Sequence, residues 1–389
     1  MGRVLILDGM WNKSLAAVRS FGRKGFYVTA GERTRLATAI FSKYCSRRWI
    51  YSSPVISPVD FLKDLEAELK LKEGKYDVIF PMEFSTQVLL TDTANRQRIE
   101  RYTRLPFADV NIARKVHDKA FIMQYARERG FGIPTTFVVN DIEQLEKIAR
   151  EITYPALIKP RNSSGSRGIV YVKKRDDLMV LYLKVHKQYP FPIIQEYIPD
   201  GGEVYGVGLL LNFQSETRAS FVYKRLRSHP VRGGPSTLRE SVKREDVREI
   251  AESLMKSLQW TGIAHVEFKI DPRDGRPKLL EVNPRFWGSL QLAIEAGMDF
   301  PFLLYKMAID GDIDSVKDYT LGVKCRWLIP GDFLNFIKNP NRFRLKPSFF
   351  DFKIKDDIIS LRDPMPVIGR LASVLTFLYD KEMKCLLNR

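Results

Sequence analysis

Two carboxylates, Glu267 and Glu281, have the residue type and spacing that most suggest chemistry. They lie in alternating apolar and polar runs on either side of residues 271–277, whose Asp-Gly and Pro residues predict the turn of a β-hairpin. If the turn is centred near Asp274, the two carboxylates are equidistant from it and face each other across the strands. Opposed carboxylates repel unless a proton or a cation lies between them.

Asn283 adds an amide oxygen beside Glu281, because side chains two residues apart on a strand point the same way. Oxygen ligands from Glu and Asn suit a hard cation such as Mg²⁺, which retains waters and bridges to phosphates. Arg285 lies just beyond and could bind an anionic oxygen. A surface hairpin with charges on its wet face explains the spacing equally well, and the hairpin alone leaves both interpretations open.

A second group of residues has the chemistry that phosphates require. Lys159 lies near the end of a predicted strand, and the polar turn 161–168 leads from it into a returning strand at 169–173. Gly165 and Gly168 allow backbone N–H groups to approach a ligand closely, and the serines and Arg167 add donors. The turn could fold over phosphates as a lid, or be an ordinary polar hairpin loop. It lacks the Gly-Lys-Ser/Thr ending of a Walker loop.

A further glycine-rich stretch, 231–237, contains Gly233 and Gly234 and follows Arg225 and Arg227. Arginines beside flexible backbone could cradle a carboxylate or an acyl phosphate. An exposed basic loop is the alternative that the residues leave open.

The elements that must position these residues alternate between strand and helix. Residues 1–105 predict strands at 3–7, 26–30 and 77–80 with intervening helices, which favours a parallel sheet. The first turn lacks the Gly-x-Gly-x-x-Gly spacing of a dinucleotide site, which argues against bound NAD. A long helix at 112–129 and a helix at 244–258 bracket the glycine-rich turns.

Composition bounds the class of protein. A chain of 389 residues with 44% apolar and 28% charged residues is long enough for two or three packed domains. It shows no apolar run of membrane-spanning length and no secretory segment at its start. Three cysteines, Cys45, Cys325 and Cys385, have no metal-like spacing, so we expect free thiols in a reducing cytoplasm.

The formal net charge of +17 allows several partners. Basic residues attract nucleic acid, anionic membrane surfaces or polyanionic ligands such as nucleotide triphosphates. They are scattered here, without a long Lys/Arg block or a nucleic-acid-binding motif, which argues against nucleic acid as the main partner.

The order of these features resembles the ATP-grasp superfamily, over roughly residues 106–300. The resemblance rests on Lys119, Lys159, the serine- and glycine-rich turn, Gln195-Glu-Tyr-Ile198, and Glu267 with Glu281-x-Asn283-x-Arg285. It implies an α/β chain of the α+β ATP-grasp type, in which 1–105 is a Rossmann-like pre-ATP-grasp domain and 106–310 the two-lobed ATP-grasp domain. The latter divides into a lid-bearing subdomain at about 106–190 and a metal-bearing subdomain at about 191–310. A basic and aromatic extension occupies 311–389.

The resemblance also implies roles for single residues. Two lysines, Lys119 and Lys159, would contact ATP phosphates, and Arg285 with Lys159 would be catalytic. Glu267, Glu281 and Asn283 would hold Mg²⁺, or Mn²⁺ in its place. The lid residues Ser163, Ser164, Gly165, Ser166 and Gly168 would close over the phosphates. The backbone at Glu196 and Ile198, in the hinge 195–198 with Gln195 and Tyr197 nearby, would hold adenine. Glu203 would bind the ribose hydroxyls. Gln195 stands where several members of the superfamily place an acidic residue.

The expected function is that of a carboxylate–amine ligase, similar to the biotin carboxylase and D-alanine–D-alanine ligase types. Such an enzyme forms an acyl phosphate from a small carboxylate and ATP, and an amine then displaces phosphate. The alternatives are a carboxylase-like enzyme that uses bicarbonate and a nucleotide-binding scaffold without turnover. His265 is a candidate general base, or packs beside the metal-binding strand.

Residues 320–389 alternate aromatic residues with Lys and Arg, as in 341–347. They could pack on the core as an appendage, or form a surface for an anionic membrane or a protein partner. The predicted C-terminal helix at 368–387 is amphipathic enough for either. An oligomer is compatible with the sequence.

Overall fold

The computed structural model of the protein describes residues 1–71, 75–163, 165–231 and 233–376. Within these ranges the chain forms three β-sheets with helices packed on them, which confirms the predicted mixed α and β architecture. None of the helices in the described ranges combines the length and apolar character that a membrane span requires. Cys45 and Cys325 are free thiols as expected, and Cys385 lies outside the described residues.

The N-terminal part is a parallel sheet in the order β3-β2-β1-β4. Residues 4–6 of its first strand and all of its last strand are apolar and buried, because helices cover both faces of a parallel sheet. Its strands are β1 Arg3–Ile6, β2 Tyr27–Glu32, β3 Arg47–Ile50 and β4 Val78–Phe80. Its helices are α1 Asn12–Arg23, α2 Pro58–Lys70, α3 Phe84–Thr91 and α4 Thr93–Ile99. The short strand β3 was not predicted from the sequence.

The single helix predicted at 112–129 is wrong. The described chain forms α5 Val110–His117 and α6 Lys119–Glu128, separated at Asp118. Asp118 has an extended ψ of 112° and its carboxylate accepts from the N–H of Ala120 at 2.8 Å, so it caps the second helix. The break sets Lys119 at a helix start rather than inside a continuous helix.

The middle part is an antiparallel sheet in the order β5-β8-β6-β7. Its strands are β5 Thr136–Phe137, β6 Ala156–Lys159, β7 Val170–Val172 and β8 Ile193–Glu196, and its helices are α7 Leu145–Glu151 and α8 Leu178–Gln188. The hairpin β6–β7 carries the predicted lid turn. Strand β8 lies within the predicted metal-bearing subdomain at about 191–310, but it pairs with β5 and β6 of the lid-bearing part.

The last part is a large sheet in the order β13-β12-β9-β10-β11-β14-β15, antiparallel except for the pair β14–β15. Its strands are β9 Val204–Leu211, β10 Thr217–Ser228, β11 Ser236–Ser241, β12 Gly262–Ile270, β13 Pro277–Asn283, β14 Lys324–Arg326 and β15 Lys355–Asp356. Its helices are α9 Glu245–Ser257, α10 Leu290–Glu295, α11 Phe300–Asp310, α12 Phe333–Lys338 and α13 Met365–Ser373. The predicted extension therefore adds strands to this sheet.

One apolar core fastens the N-terminal sheet to the segment that follows the β12–β13 hairpin. The Phe21 and Phe80 rings lie 5.2 Å apart in this core, and Trp287 and Phe300 make an edge contact at 5.0 Å. Arg285 directly precedes this anchored segment. The core therefore holds Arg285 between the hairpin and the N-terminal sheet.

Buried ion pairs hold the C-terminal segment against both neighbouring sheets. Asp363 accepts from Arg19 Nε at 2.8 Å and from Ser42 at 2.7 Å, and Arg239 pairs with Asp357 at 2.8 Å. These four charged side chains are almost completely removed from solvent. Removal of one partner from such a pair leaves a buried charge unpaired, which is costly.

Candidate active site

The β12–β13 hairpin brings the two predicted carboxylates together. Glu267 lies directly opposite Glu281, and His265 lies opposite Asn283, which confirms the pairing expected from the turn. A register shift follows, because Phe268 pairs with Leu279. The bulge keeps Leu279 and Phe268 in the core while Glu267 and Glu281 share the other face.

Each carboxylate also has a cationic neighbour. Arg225 Nη2 donates to Glu267 Oε2 at 2.5 Å, and Lys119 Nζ lies 3.4 Å from Glu281 Oε2. Burial raises the pKa of the Glu267 carboxyl, against the opposing effect of Arg225. Burial also disfavours ionised Glu281, but Lys119 and the hydrogen bond from Asn283 lower its pKa to about 2. Glu281 is therefore ionised at neutral pH. Burial disfavours the ionised form of Glu267, and a further cation beside it would stabilise that form.

Asn283 and Arg285 extend the cluster along the same edge. Asn283 Nδ2 donates to Glu281 Oε1 at 2.9 Å, and Arg285 Nη2 donates to Asn283 Oδ1 at 3.3 Å. Arg285 Nη1 donates to the Phe286 carbonyl at 2.9 Å, which fixes the guanidinium beside the hairpin. An amide oriented in this way can turn its oxygen to a cation when one is bound.

The donor set fits Mg²⁺. Among the described residues no cluster of three or more His, Cys, Asp and Glu side chains could hold a metal ion alone. Glu267, Glu281 and Asn283 supply hard oxygen donors from two carboxylates and one amide. A magnesium ion bound by two carboxylates keeps positions for water and phosphate oxygens, as in phosphoryl-transfer sites. These residues therefore suit a metal ion whose remaining coordination positions are filled by a phosphorylated ligand and water.

The two predicted phosphate-binding lysines lie in the same cluster and are buried. Lys119 Nζ donates to the Ser163 carbonyl at the start of the lid turn. Lys159 Nζ donates to Gln195 Oε1 at 2.6 Å. Burial lowers the pKa of Lys159 to about 8, despite the attraction of Glu281. Lys159 is thus a cation whose charge an anionic ligand would stabilise.

The lid turn contacts the second glycine-rich loop. Gly165, Ser166 and Gly168 all have φ between +63° and +71°, which favours glycine and leaves Ser166 strained. The Ser166 hydroxyl donates to the Gly233 carbonyl. The two loops that the sequence presented separately therefore meet over the site. Ser164 lies outside the described residues, as does Arg232.

The predicted hinge at 195–198 is largely occupied by contacts within the protein. Gln195 Nε2 donates to Thr136 Oγ1 at 2.7 Å. The N–H of Glu196 donates to the Thr135 carbonyl at 2.9 Å, and the Ile198 carbonyl accepts from Lys269 Nζ at 2.9 Å.

The side chains of this hinge make further contacts. The Glu196 carboxylate accepts from the N–H of Thr135 at 2.9 Å and from Arg273 Nη1 at 3.0 Å. The Tyr197 ring lies 5.0 Å from Lys269 Nζ. The Glu196 side chain therefore anchors the hinge.

Glu203, the predicted ribose ligand, lies beyond the hinge. It accepts hydrogen bonds from Lys224 and from the Tyr205 hydroxyl. The Lys224 hydrogen bond lowers the pKa of Glu203, so its carboxylate is ionised.

Arg225 and Arg227, in strand β10 just before the second loop, point in different directions. Arg225 Nη1 donates to the Gly234 carbonyl at 3.1 Å while its other end binds Glu267. Arg227 pairs instead with Asp332 at 2.9 Å and donates to the Pro347 carbonyl at 2.9 Å. A register shift between Arg225 and Arg227 re-aims the second side chain away from the cluster.

Lys13 and Glu83, which were not predicted from the sequence, approach Arg285 from the N-terminal sheet. Lys13 Nζ lies 2.7 Å from Glu83 Oε1 and donates to the Phe286 carbonyl at 3.2 Å. Burial and the nearby Arg285 lower the pKa of Lys13 to about 8. Both residues follow parallel strands at their carboxyl ends, where ligands of open α/β sheets bind. Their location just after predicted parallel strands was the sequence feature that could have indicated a role for them.

Two histidines adjoin the cluster and are uncharged at neutral pH. Burial, with Lys119 nearby, lowers the pKa of His117 to about 3, and the tilted rings of His117 and Phe84 have centroids 4.0 Å apart. Burial also lowers the pKa of His265 to about 3, and its Nε2 lies 3.0 Å from the Tyr223 hydroxyl. A side chain at Gly208 would clash with Trp287, which stacks on His265. His265 is therefore a packed, hydrogen-bonded residue.

Comparisons with known proteins show what the chain resembles in sequence and in fold. The profile of a family described as "ATP-grasp in the biosynthetic pathway with Ter operon" matches residues 205–329. The carbamoyl phosphate synthase large chain of Thermotoga neapolitana is 22% identical over 358 residues, which are 89% of this chain and 31% of the relative. A D-alanine–D-alanine ligase of a Thermoanaerobacter species is 28% identical over 225 residues, 53% of this chain and 61% of that ligase. The chain thus spans only 31% of the length of the synthase large chain.

A solved structure shows the same fold. The biotin carboxylase domain of Hydrogenobacter thermophilus 2-oxoglutarate carboxylase, a dimer in complex with MgADP, ADP and bicarbonate, matches with a TM-score of 0.65 and 15% identity. The match covers 82% of this chain and 73% of that domain. The fold is the α+β ATP-grasp fold, and the chain is similar in sequence to ATP-grasp proteins.

Proposed function

We propose that the protein is an ATP- and Mg²⁺-dependent ligase that joins a carboxylate to an amine through an acyl phosphate. The observation that carries the proposal is the pairing of Glu267 with Glu281 beside Lys119, Lys159 and Arg285. Phosphoryl transfer needs mainly positioning and neutralisation of charge, and this cluster supplies both kinds of charge in a buried place. A site that only bound nucleotide would have no need of two opposed carboxylates.

The nucleotide would lie between the lid-bearing sheet and the large sheet. Lys119 and Lys159 would contact its phosphates, under the loop 163–168. Adenine would lie against the hinge at 195–198, and Glu203 would accept from the ribose hydroxyls. Glu267, Glu281 and Asn283 would hold Mg²⁺, or Mn²⁺, which when bound neutralises charge on the phosphate oxygens.

The reaction would proceed in two displacements. A carboxylate oxygen attacks the γ-phosphorus, the bond from that phosphorus to the β–γ bridging oxygen breaks, and ADP leaves. The amine nitrogen then attacks the acyl carbon, the bond from carbon to the phosphate oxygen breaks, and phosphate leaves as the nitrogen loses a proton. Arg285 would stabilise charge on the transferring phosphoryl group. Lys13 and Glu83, opposite Arg285, would face the substrates.

Bicarbonate is a second candidate for the carboxylate. The observation that favours it is the structural match with a domain solved in complex with bicarbonate. The same cluster could activate bicarbonate as carboxyphosphate, and an amine would then accept the carboxyl group. Only the first substrate differs between the two candidates.

The test is ADP release from Mg-ATP by the purified protein, with pools of carboxylates, amines and bicarbonate. The proposal expects release that requires both an acid and an amine and that Glu281→Gln abolishes. Glu128→Gln, on an exposed helix face, is the matched control and should retain activity. ADP release unaffected by Glu281→Gln, or absence of nucleotide binding by the wild-type protein, would contradict the proposal. Release that requires bicarbonate alone among the acids would identify the second candidate.

A further inference from the structure

The segment 333–353 is a separate surface that the proposed active site does not use. We call it the aromatic arm; it runs between β14 and β15 and begins with α12. Three hydrogen bonds fix one side of it to neighbouring strands: Asn335 to the Ser228 carbonyl at 2.6 Å, Arg227 to the Pro347 carbonyl at 2.9 Å and Arg326 to the Phe349 carbonyl at 2.8 Å. The arm is therefore held in place through its backbone and one polar side chain.

Several large apolar side chains of the arm are exposed. Phe336 contacts Phe349 at 4.3 Å and Phe343 at 5.6 Å, which forms a small aromatic cluster. Phe343 is 78% exposed and Phe352 is 80% exposed. Phe333 and Ile337, four residues apart on α12, are exposed too and share a helix face. Large apolar side chains that crowd one exposed surface mark an interaction site.

Basic side chains surround these apolar groups. The segment 333–353 contains five Lys and Arg residues and one acidic residue, Asp351. All five are exposed, whereas Asp351 is half-buried. The basic residues are Lys338, Arg342, Arg344, Lys346 and Lys353.

We propose that the aromatic arm docks on the surface of an anionic lipid bilayer. Exposed Phe and Ile side chains would enter the boundary between headgroups and acyl chains, and the basic residues would pair with anionic headgroups. Charge selects this partner over a second copy of the chain, because two arms with the same excess of positive charge would repel. The exposed aliphatic side chain favours it over nucleic acid, because Ile337 has no ring on which a base could stack.

The test is co-sedimentation of the full-length protein with vesicles of phosphatidylcholine alone and with vesicles containing 30 mol% (about one lipid in three) phosphatidylserine. The proposal expects binding to the second kind only, weakened by added salt because surface charges are screened. Arg342→Glu with Arg344→Glu should lower the affinity by at least about tenfold, since each basic residue near the surface contributes roughly a factor of five. Phe343→Ser with Phe352→Ser should lower the affinity for anionic vesicles without changing how strongly that affinity depends on salt.

Matched controls lie elsewhere on the described surface. Lys63→Glu with Lys70→Glu reverses two exposed charges on α2, and Phe213→Ser removes an exposed ring from a distant turn. Both should bind vesicles as the wild type does, and thermal unfolding of every variant checks that it is folded. The proposal would be overturned if the control variants lost as much vesicle affinity as the arm variants, or if the arm variants kept the wild-type affinity. It would also be overturned if the wild-type protein did not bind anionic vesicles. Arm-dependent self-association or nucleic-acid binding without vesicle binding would overturn it too.

Discussion

Arg225 joins Glu267 to the glycine-rich loop, because its guanidinium donates both to that carboxylate at 2.5 Å and to the Gly234 carbonyl at 3.1 Å. The preceding residue of that loop, Gly233, accepts from Ser166 of the lid turn. A continuous set of contacts therefore runs from the candidate metal ligand to the lid. The position of the lid and the occupancy of the metal site should affect each other.

Removal of one carboxylate should separate metal binding from nucleotide binding. We expect Glu267→Gln to weaken Mn²⁺ binding in the presence of ADP at least about tenfold, since metal sites lose this much when a ligand or its support is removed. Binding of metal-free ADP should weaken less, because Lys119 and Lys159 remain. Electron paramagnetic resonance of Mn²⁺ measures the first and calorimetry the second. Equal losses of both, while Glu128→Gln is unchanged, would contradict the assignment of Glu267 as a ligand.

The pKa of Lys159, about 8, predicts a pH-dependent affinity for nucleotide. Phosphate binds the protonated amine, so the full affinity is present below pH 8 and falls as pH rises, by up to about tenfold per unit. Titration calorimetry in buffers of different ionisation enthalpy should show proton uptake on binding near pH 8. Lys159→Arg stays protonated and should remove most of this dependence. A wild-type affinity that is flat from pH 7 to pH 9.5 would exclude the predicted contact.

The contact between Ser166 and Gly233 predicts a small loss of apparent affinity for ATP without a loss of stability. Ser166→Ala removes a single hydrogen bond, worth about 0.5–1.5 kcal/mol, so we expect the KM for ATP to rise roughly two- to tenfold. The midpoint of thermal unfolding should not change, because the bond joins two exposed loops. Steady-state kinetics and calorimetry check both expectations. A large loss of thermal stability with unchanged KM would show that the contact is structural only.

The buried pair of Asp363 with Arg19 predicts a large loss of stability. Asp363→Ala leaves the guanidinium and the hydroxyl of Ser42 without that partner, so the free energy of unfolding should fall by about 3–5 kcal/mol. Urea unfolding followed by tryptophan fluorescence measures it. The exposed pair of Asp60 with Lys63 is the control, and Asp60→Ala should have little effect. Similar effects at both positions would refute the anchoring role of Asp363.

Much of the candidate site could be read from local sequence. The alternation of apolar and polar residues around an Asp-Gly turn fixed which side chains of the hairpin share a face, so the opposition of Glu267 and Glu281 followed from counting residues. Strand β1, predicted at 3–7, is Arg3–Ile6 in the structure. Both predictions depend on short-range patterns of apolar residues.

Tertiary structure decided the contacts between distant segments. The helix predicted at 112–129 is interrupted at Asp118, which also accepts from Arg161 of the lid-bearing hairpin at 2.9 Å, a contact that no local pattern contains. Arg225 and Arg227 looked equivalent, but a bulge directs one to Glu267 and the other to Asp332. The sequence alone determined the chemical types and their order along the chain. Only the packing of the N-terminal sheet on the segment after the hairpin could place Lys13 and Glu83 beside Arg285, because burial and charge act across space rather than along the sequence.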